Sequence, residues 1–323
     1  MQDIKEHIKE DLQEVEKLIE ESLTSNDYEE HVNNMCRLIV SAGGKRIRPI
    51  MTLLCAKALN LDSQKAHKEA IVCAAAIELL HTATLIHDDV IDDSPKRRGN
   101  DTLNAMFGNQ VAVLAGDYLF TRTFNLLYSI ENSEGLNLIS KTIATLVAGE
   151  INQLKNEGQL EISYEDYRKI IYAKTGVLFE LCATVVAFFE KQDNKILNAL
   201  KNYGIEVGVA FQIVDDILDY TSDNEKLGKN IGEDLKDKRV TLPIIICLNK
   251  LDNKDKALFK EAIEKVDFDT VLSYLKQTNA LVESKDCAKK AIADAISYLE
   301  VFEDSKYKEA LKQLALFSIE RLN

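Results

Sequence analysis

The sequence predicts an all-α protein, and two observations support that prediction. Only three prolines occur among 323 residues, and proline is poorly tolerated inside helices. Apolar residues recur at spacings of three and four from Ile4 to Ile19 and again from Leu311 to Phe317, whereas no stretch shows the alternation that is typical of strands. We therefore expect one amphipathic helix at the start of the chain and another near its end.

Three longer stretches, 71–86, 175–189 and 203–218, are apolar on nearly every side. A helix without a polar face belongs inside a bundle, so we expect central helices surrounded by amphipathic ones. No linker rich in glycine, serine or proline divides the chain, which predicts a single domain over residues 1–323. The polar segment 221–241 is expected to form a long loop after a buried helix.

The overall composition of the chain argues against several classes of protein. The net charge of −13 argues against nucleic acid as a partner. No apolar run appears long enough to cross a bilayer, so stable membrane insertion is not expected. The six cysteines form no CxxC pair and mostly sit among apolar residues, which is typical of reduced core thiols in a cytoplasmic protein.

Two aspartate clusters, DDVID at 88–92 and DDILD at 215–219, each follow an apolar stretch. Their outer aspartates are four residues apart and share one helix face. Buried carboxylates are costly and repel one another, so two such clusters at the ends of core helices predict a hard cation such as Mg²⁺. One cluster alone would as readily be a solvated helix end. The predicted metal ligands are Asp88, Asp89, Asp92, Asp215, Asp216 and Asp219.

Basic residues stand close to both clusters. In GGKRIRP (43–49) the glycines end one helix and the proline suits the first turn of the next. Cations at a helix N-terminus favour a phosphate-type anion. Neither a P-loop nor a Rossmann pattern is present in the sequence, so any phosphates would be held by metals and side chains. Further cations follow the first cluster (Lys96, Arg97 and Arg98) or lie in the loop after the second (Lys229 and Lys238), and Lys174 opens another apolar helix.

Taken together, these residues resemble the trans-type polyprenyl diphosphate synthases over most of residues 43–243. The resemblance rests on GGKRIRP, on residues 78–99, on GDYLF (116–120), GEINQL (149–154) and YAKTG (172–176), and on residues 211–243. It implies an isoprenoid-synthase-type helical fold around a central cavity, a homodimer, and condensation of isopentenyl diphosphate with an allylic diphosphate, for which we expect farnesyl diphosphate.

The resemblance also implies residue roles. Three Mg²⁺ would be bound by Asp88, Asp92 and Asp215, with Asp89, Asp216 and Asp219 in support. Ligands of the allylic diphosphate would be Arg97, Lys174 and Lys229. The isopentenyl diphosphate site would comprise Lys45, Arg48, His81 and Arg98. Thr175 and Gln212 would steady the developing carbocation, and Phe211 would line the site nearby. Without the resemblance, His81 and Gln212 would as readily be hydrogen-bonded core residues.

Product length should depend on residues that precede the first aspartate cluster. One isoprene unit is about as long as one helical turn, about 5.4 Å, so side chains on earlier turns of this helix would form floors of a product tunnel. These positions hold Thr84, Ala83, Leu80 and Ala76. None is aromatic, which predicts a hexaprenyl to octaprenyl product; farnesyl and geranylgeranyl products remain alternatives, because other residues could close the tunnel.

Three other classes of protein compete with this interpretation. A terpene cyclase would share the fold and first cluster, but it would not need a second aspartate-rich cluster or the glycine turn GGKRIRP (43–49). A non-catalytic subunit of a heteromeric synthase would be expected to lose aspartates or cations, and this chain keeps them. A helical interaction protein would not explain paired carboxylates beside basic clusters.

Overall fold

The computed structural model describes residues 1–24, 28–61, 63–97, 99–221 and 232–322, and it confirms the predicted all-α fold. The first elements are α1 (Gln2–Glu6), α2 (Lys9–Ser22), α3 (Glu30–Ser41), α4 (Ile47–Ala58), α5 (Gln64–Ile91), β1 (Lys96–Arg97) and β2 (Asn100–Asp101). Next come α6 (Leu103–Phe107), α7 (Asn109–Tyr128), α8 (Ser133–Lys155), α9 (Tyr164–Ile171), a π-helical turn (Tyr172–Gly176), α10 (Val177–Phe189) and α11 (Asn194–Thr221). The last are α12 (Glu233–Lys236), α13 (Leu242–Lys250), α14 (Asn253–Glu264), α15 (Phe268–Gln277), α16 (Ala280–Tyr298), a 3₁₀ turn (Leu299–Val301) and α17 (Lys306–Glu320).

The three apolar stretches lie in the core as predicted. Helix α10 packs against α4, α5, α8 and α11, and its side chains Phe179 and Val185 are fully buried. Helix α5 contains residues 71–86, and α11 contains residues 203–218. Because these helices are apolar on every side, they are stable only when other helices cover them.

Glycines allow α11 to approach α10 closely. A Cβ atom on Gly204 would lie 2.6 Å from the carbonyl oxygen of Phe179, and one on Gly208 would lie 2.7 Å from the Cα atom of Gly176. These neighbours are backbone atoms, so no side chain could move aside. The close contact holds the π-helical turn beside the next turn of α11, which carries Gln212.

Both aspartate clusters occupy the last turns of long helices. Helix α5 begins at the N-cap Ser63, whose hydroxyl accepts a hydrogen bond from the Ala66 amide at 2.9 Å. It ends at Ile91, with Asp92 as C-cap. Helix α11 ends at Thr221, shortly after the second cluster. The prediction that each cluster follows a buried helix is thereby confirmed.

One local prediction was wrong, and two further details were not predicted. The expected first helix is divided into α1 and α2 at His7 and Ile8, which brings both Ile4 and Ile8 into the core. A two-residue antiparallel hairpin, with Arg97 opposite Asn100, follows the first cluster. Within the predicted loop 221–241 the chain forms the short helix α12; residues 222–231 lie outside the described part.

Two helical stretches, Gln64–Ile91 and Tyr164–Phe189, are long and apolar enough to cross a membrane, contrary to our estimate from the sequence. In the fold, 78% and 72% of their most apolar windows are buried against other helices. They are therefore core helices, whose apolar surface the protein itself covers.

Candidate active site

A cavity of about 1090 Å³ lies between the ends of α5 and α11. Residues of both aspartate clusters line this cavity, together with residues 43–48 of the glycine turn (GGKRIRP, 43–49) and residues of the π-helical turn. The fold thus brings together four sequence segments that were singled out as candidate ligands of metal and phosphate.

In the first cluster, Asp88 and Asp92 line the cavity. Burial raises the pKa of Asp88 to about 6, although the nearby Lys174 ammonium acts in the opposite direction. Asp89 is turned toward Arg97, whose Nε and Nη2 atoms both lie 2.7 Å from its Oδ1 atom. Asp89 is not among the cavity-lining residues, so any support it gives to a metal passes through Arg97.

In the second cluster, Asp215, Asp216 and Asp219 all line the cavity. Asp216 accepts hydrogen bonds from the Tyr167 hydroxyl at 2.6 Å and from Gln212 Nε2 at 2.9 Å. The carboxylate of Asp219 instead accepts from backbone amides at the start of α12, at 3.1 and 3.2 Å. Burial first, and then the charge of Asp234, raise the pKa of both Asp216 and Asp219 well above the usual range.

The π-helical turn carries the next two candidate residues. A π-helical turn inserts one extra residue into a helix and is frequent at functional sites. Here it places Lys174 and Thr175 on the cavity wall. Lys174 Nζ lies 3.4 Å from the Glu150 carboxylate. The Thr175 hydroxyl donates to Gln212 Oε1 at 2.8 Å, which extends the hydrogen-bonded chain that reaches Asp216 and Tyr167.

All three cations of the glycine turn line the cavity, but one of them is already paired with carboxylates. Lys45 Nζ lies 4.6 Å from the centre of the Phe317 ring, and the Arg48 guanidinium lies 4.9 Å from that of Phe179. His81 lines the same wall. Arg46, the left-handed N-cap of α4, is engaged elsewhere, since its guanidinium pairs with Glu16 at 2.7 Å and with Glu78 at 3.0 Å. Arg46 therefore supports the turn rather than a phosphate.

Some predicted residues are placed differently. Arg98 and Lys229 lie outside the described residues. Thr84 lines the cavity and Phe211 lies beside Gln212 on its wall. Three of the predicted chain-length positions are fully buried and do not line this cavity: Ala83, Leu80 and Ala76.

Two arginines of the site were missed at the level of sequence. Arg239 lines the cavity and pairs with Asp92, Asp234 and Asp237; we had noted its neighbour Lys238, which is exposed. Arg321 Nη1 lies 2.6 Å from Asp215 Oδ1. The run of charges around Arg239 was a usable signal, whereas no local pattern marks Arg321, 106 residues away from its partner.

The donor set fits a hard divalent cation. Carboxylates of both clusters line the same cavity, and the raised pKa of Asp88 reflects charge that burial leaves poorly compensated. Among the described residues, no three carboxylate, histidine or cysteine side chains converge on one point. This arrangement suits Mg²⁺, which completes its coordination with water and substrate oxygens.

The chain is similar to known proteins of one family. The chain matches the polyprenyl synthetase family over residues 29–278. It is 38% identical to the octaprenyl diphosphate synthase of Haemophilus influenzae, covering 88% of this chain and 86% of the relative. Identity to the all-trans-nonaprenyl-diphosphate synthase (geranyl-diphosphate specific) of Rhodobacter capsulatus is 37%, over 99% and 98%. The crystal structure of a decaprenyl diphosphate synthase from the same organism superposes with a TM-score of 0.91 at 31% identity, covering 99% of this chain and 98% of that one.

The all-α fold and the similarity to prenyl synthases identify an enzyme that transfers prenyl groups. The chain belongs to the polyprenyl synthetase family, and it is a trans-prenyltransferase of the medium- to long-chain type.

Proposed function

We propose that this protein condenses isopentenyl diphosphate with farnesyl diphosphate and makes an all-trans product of hexaprenyl to octaprenyl length. The observation that carries the proposal is one cavity with two separate groups of cations. Arg97 and Lys174 stand by the first aspartate cluster, and Lys45 and Arg48 stand at the glycine turn. Two groups of cations suit two diphosphates, and the carboxylates suit the metal ions of one of them.

Ionisation of the allylic C–O bond moves negative charge onto the leaving pyrophosphate. Lys174 and Arg97 are fixed by Glu150 and Asp89, so their charges are oriented before the reaction, which favours the transition state. Magnesium ions held by Asp88, Asp92 and Asp215, three per site as the family resemblance implies, would neutralise the same charge when bound.

The cation that forms is then attacked by the double bond of isopentenyl diphosphate, which Lys45, Arg48 and His81 would hold in place. The oxygens of Thr175 and Gln212 lie beside this position and stabilise positive charge. Their mutual hydrogen bond fixes where those oxygens point. A proton is finally lost, for which the released pyrophosphate is the proposed base, and the surrounding apolar helices exclude water that would quench the cation.

Product analysis tests this proposal directly. Purified protein is incubated with labelled isopentenyl diphosphate, farnesyl diphosphate and Mg²⁺, and the dephosphorylated products are sized. We expect a ladder that ends between hexaprenyl and octaprenyl and disappears with a chelator. A ladder that stops at geranylgeranyl would support the proposed reaction and refute the proposed product length. No incorporation with any primer would favour a subunit that requires a missing partner chain.

The apolar end of the cavity should control product length. Thr84 lies on its wall, one turn before Asp88, so a Thr84→Tyr ring would occupy the space for the second or third isoprene unit. We expect products shortened to farnesyl or geranylgeranyl length when dimethylallyl diphosphate replaces farnesyl diphosphate as the primer and the products are sized in the same way. Ser273→Tyr, at an exposed position of α15, provides the control and should leave the ladder unchanged. A wild-type ladder from the Thr84 variant would place the growing chain elsewhere.

The aspartate clusters should make metal stabilisation depend on pH. Without metal, burial raises the pKa of Asp88 to about 6 and raises those of Asp216 and Asp219. The folded chain then binds more protons than the unfolded chain above about pH 4, so the metal-free protein loses stability as pH rises through that window. Mg²⁺ and pyrophosphate require the ionised carboxylates. We expect the gain in Tm from Mg²⁺ and pyrophosphate to be larger near pH 8 than near pH 5.5; an equal gain would contradict this assignment.

We also propose a cytoplasmic homodimer, with residues 1–323 as one catalytic domain and no nucleic-acid partner. Support for the dimer comes from exposed apolar side chains on the consecutive helices α7 and α8. They include Leu114 (66%), Tyr128 (75%), Val147 (52%) and Ile151 (61%). Apolar surface of this kind is typical of an interface between protein chains.

A further inference from the structure

Arg46 lies between the two cations of the glycine turn that are assigned to isopentenyl diphosphate. Its φ and ψ angles are 55° and 36°, a left-handed conformation that is uncommon for residues other than glycine and costs free energy. Arg46 is also the N-cap of α4, yet its side chain makes no capping hydrogen bond to the described residues, because arginine offers no acceptor. Neither backbone preference nor helix capping therefore explains an arginine at this position.

The Arg46 guanidinium is held by three other elements of the fold, α2, α3 and α5. Its Nε and Nη2 atoms lie 2.7 and 3.1 Å from the two carboxylate oxygens of Glu16 on α2. Its Nη1 atom donates to Glu78 Oε1 of α5 at 3.0 Å, and Nη2 also donates to the Val40 carbonyl oxygen of α3 at 3.0 Å. A strained backbone persists only where the surrounding contacts determine it, and these contacts supply that constraint.

The conformation of Arg46 sets the direction of the neighbouring cations. Lys45 directly precedes it, and Arg48 lies two residues later in the first turn of α4. Their charged groups rest over the rings of Phe317 and Phe179, at 4.6 and 4.9 Å from the ring centres. Because φ and ψ are the only soft torsions of a residue, a change at Arg46 would rotate Lys45 relative to α4. The two cations would then no longer face the cavity together.

Helix α2 contributes to this arrangement from outside the residues that match the family. The match covers residues 29–278, whereas α2 spans Lys9–Ser22. Val15 and Ile19 of α2 belong to the core, and the helix packs against α4 and α5. The Glu16 side chain is 46% exposed, so the position of α2 depends on its apolar residues and not on Glu16. Glu16 thus offers Arg46 a partner whose backbone is fixed independently.

We propose that Arg46 is a positioning residue for the isopentenyl diphosphate site, and that Glu16 of α2 and Glu78 of α5 hold it in place. This inference rests on the proposed function, and it adds two ion pairs and a helix to which the family resemblance assigns no role. The partners of Arg46 differ from those of Arg97 and Lys174, the cations assigned to the allylic diphosphate. The effect of Arg46 should therefore fall on one of the two substrates.

The experiment measures steady-state kinetics of Glu16→Gln and Arg46→Gln with farnesyl diphosphate and isopentenyl diphosphate varied in turn. We expect KM for isopentenyl diphosphate to rise about threefold or more in Glu16→Gln and about tenfold or more in Arg46→Gln. KM for farnesyl diphosphate and kcat should stay within about twofold of wild type. Glu16→Gln leaves the buried pair of Arg46 and Glu78 in place, so it tests the proposal even if Arg46→Gln does not fold.

Glu20→Gln is the matched control. Glu20 also lies exposed on α2 and pairs with an arginine, since its Oε1 atom lies 2.9 Å from Arg37 Nε. The substitution removes the same charge from the same helix, but its partner lies on α3 and not in the glycine turn. Glu20→Gln should leave both KM values and kcat unchanged.

A double variant separates positioning from charge. Loss of Arg46 leaves the Glu78 carboxylate, which lines the cavity, without this cation, and a negative charge there repels a diphosphate. Arg46→Gln combined with Glu78→Gln removes that repulsion. We expect the double variant to keep the raised KM for isopentenyl diphosphate. A return to the wild-type KM would show that Arg46 acts by neutralising Glu78, and it would overturn the positioning role.

The outcomes separate this inference from the proposed function. Wild-type protein that incorporates no isopentenyl diphosphate with any primer would refute the proposed function. If wild type is active and Glu16→Gln keeps the wild-type KM for isopentenyl diphosphate, Arg46 is not positioned from α2 and the inference fails. Equal increases in both KM values, or the same increase in Glu20→Gln, would also overturn it, because the effect would then be a general loosening of the fold.

Discussion

Replacing Asp88 with asparagine is expected to reduce prenyl transfer by on the order of 10³-fold while making the metal-free protein more stable. Activity should fall because metal binding to the leaving group stabilises the transition state by several kcal/mol. The stability of the metal-free protein should rise because burial raises the pKa of Asp88 to about 6. The ionised form of Asp88 therefore destabilises the folded chain above that pH. At pH 8 the gain should be on the order of 1–2 kcal/mol.

Opposite signs of the two effects make the Asp88 experiment decisive. Turnover is measured by label incorporation at saturating Mg²⁺, and stability by urea unfolding in the presence of a chelator. Asp101→Asn, at an exposed position in β2, is the control and should change neither quantity. If Asp88→Asn lowered stability and activity together, the carboxylate would be a structural residue and not a metal ligand.

Gly204→Val is expected to be the most destabilising single change described here, by about 3 kcal/mol or more. The new Cβ atom would lie 2.6 Å from the carbonyl oxygen of Phe179 and 2.9 Å from the Cα atom of Glu180. Both are backbone atoms of α10, so relief requires the two central helices to separate. Because that contact also holds the π-helical turn against α11, activity should fall with stability.

The control for this substitution is Asn198→Val, which introduces the same β-branched residue at an exposed position of the same helix. It should cost less than about 1 kcal/mol, the range of helix propensity. Unfolding midpoints in urea compare the two variants. Equal losses would mean that valine is disfavoured in α11 generally and that the close approach at Gly204 is not essential.

The sequence was sufficient where a property depends on residues close together in the chain. The helical spacing, the apolar stretches and both aspartate clusters are local patterns, and each appears in the fold where it was expected. Lys174 and Thr175 could be found in the same way, because YAKTG directly precedes an apolar helix. The glycine turn identified Lys45 and Arg48 as cavity residues for the same reason.

Contacts between distant parts of the chain could not be predicted. The pairing of Arg321 with Asp215, the hydrogen bond from Tyr167 to Asp216 and the diversion of Arg46 to Glu16 all depend on how helices pack. Such partners have no sequence signature within one helix. The same reason explains why Asp89, an ordinary member of its cluster by sequence, points toward Arg97 and not into the cavity.

The number of residues in the π-helical turn is itself important for function. Its extra residue lets Lys174 and Thr175 face the cavity while Ala173 packs against Gly149 of α8. Deletion of one residue here would restore a regular and more favourable α-helix. It would also rotate the residues on one side of the deletion by about 100° relative to those on the other side. A deletion would therefore leave the helix content unchanged, but it would disrupt the register of the residues that face the cavity. The segment can exchange side chains during evolution far more readily than it can change length.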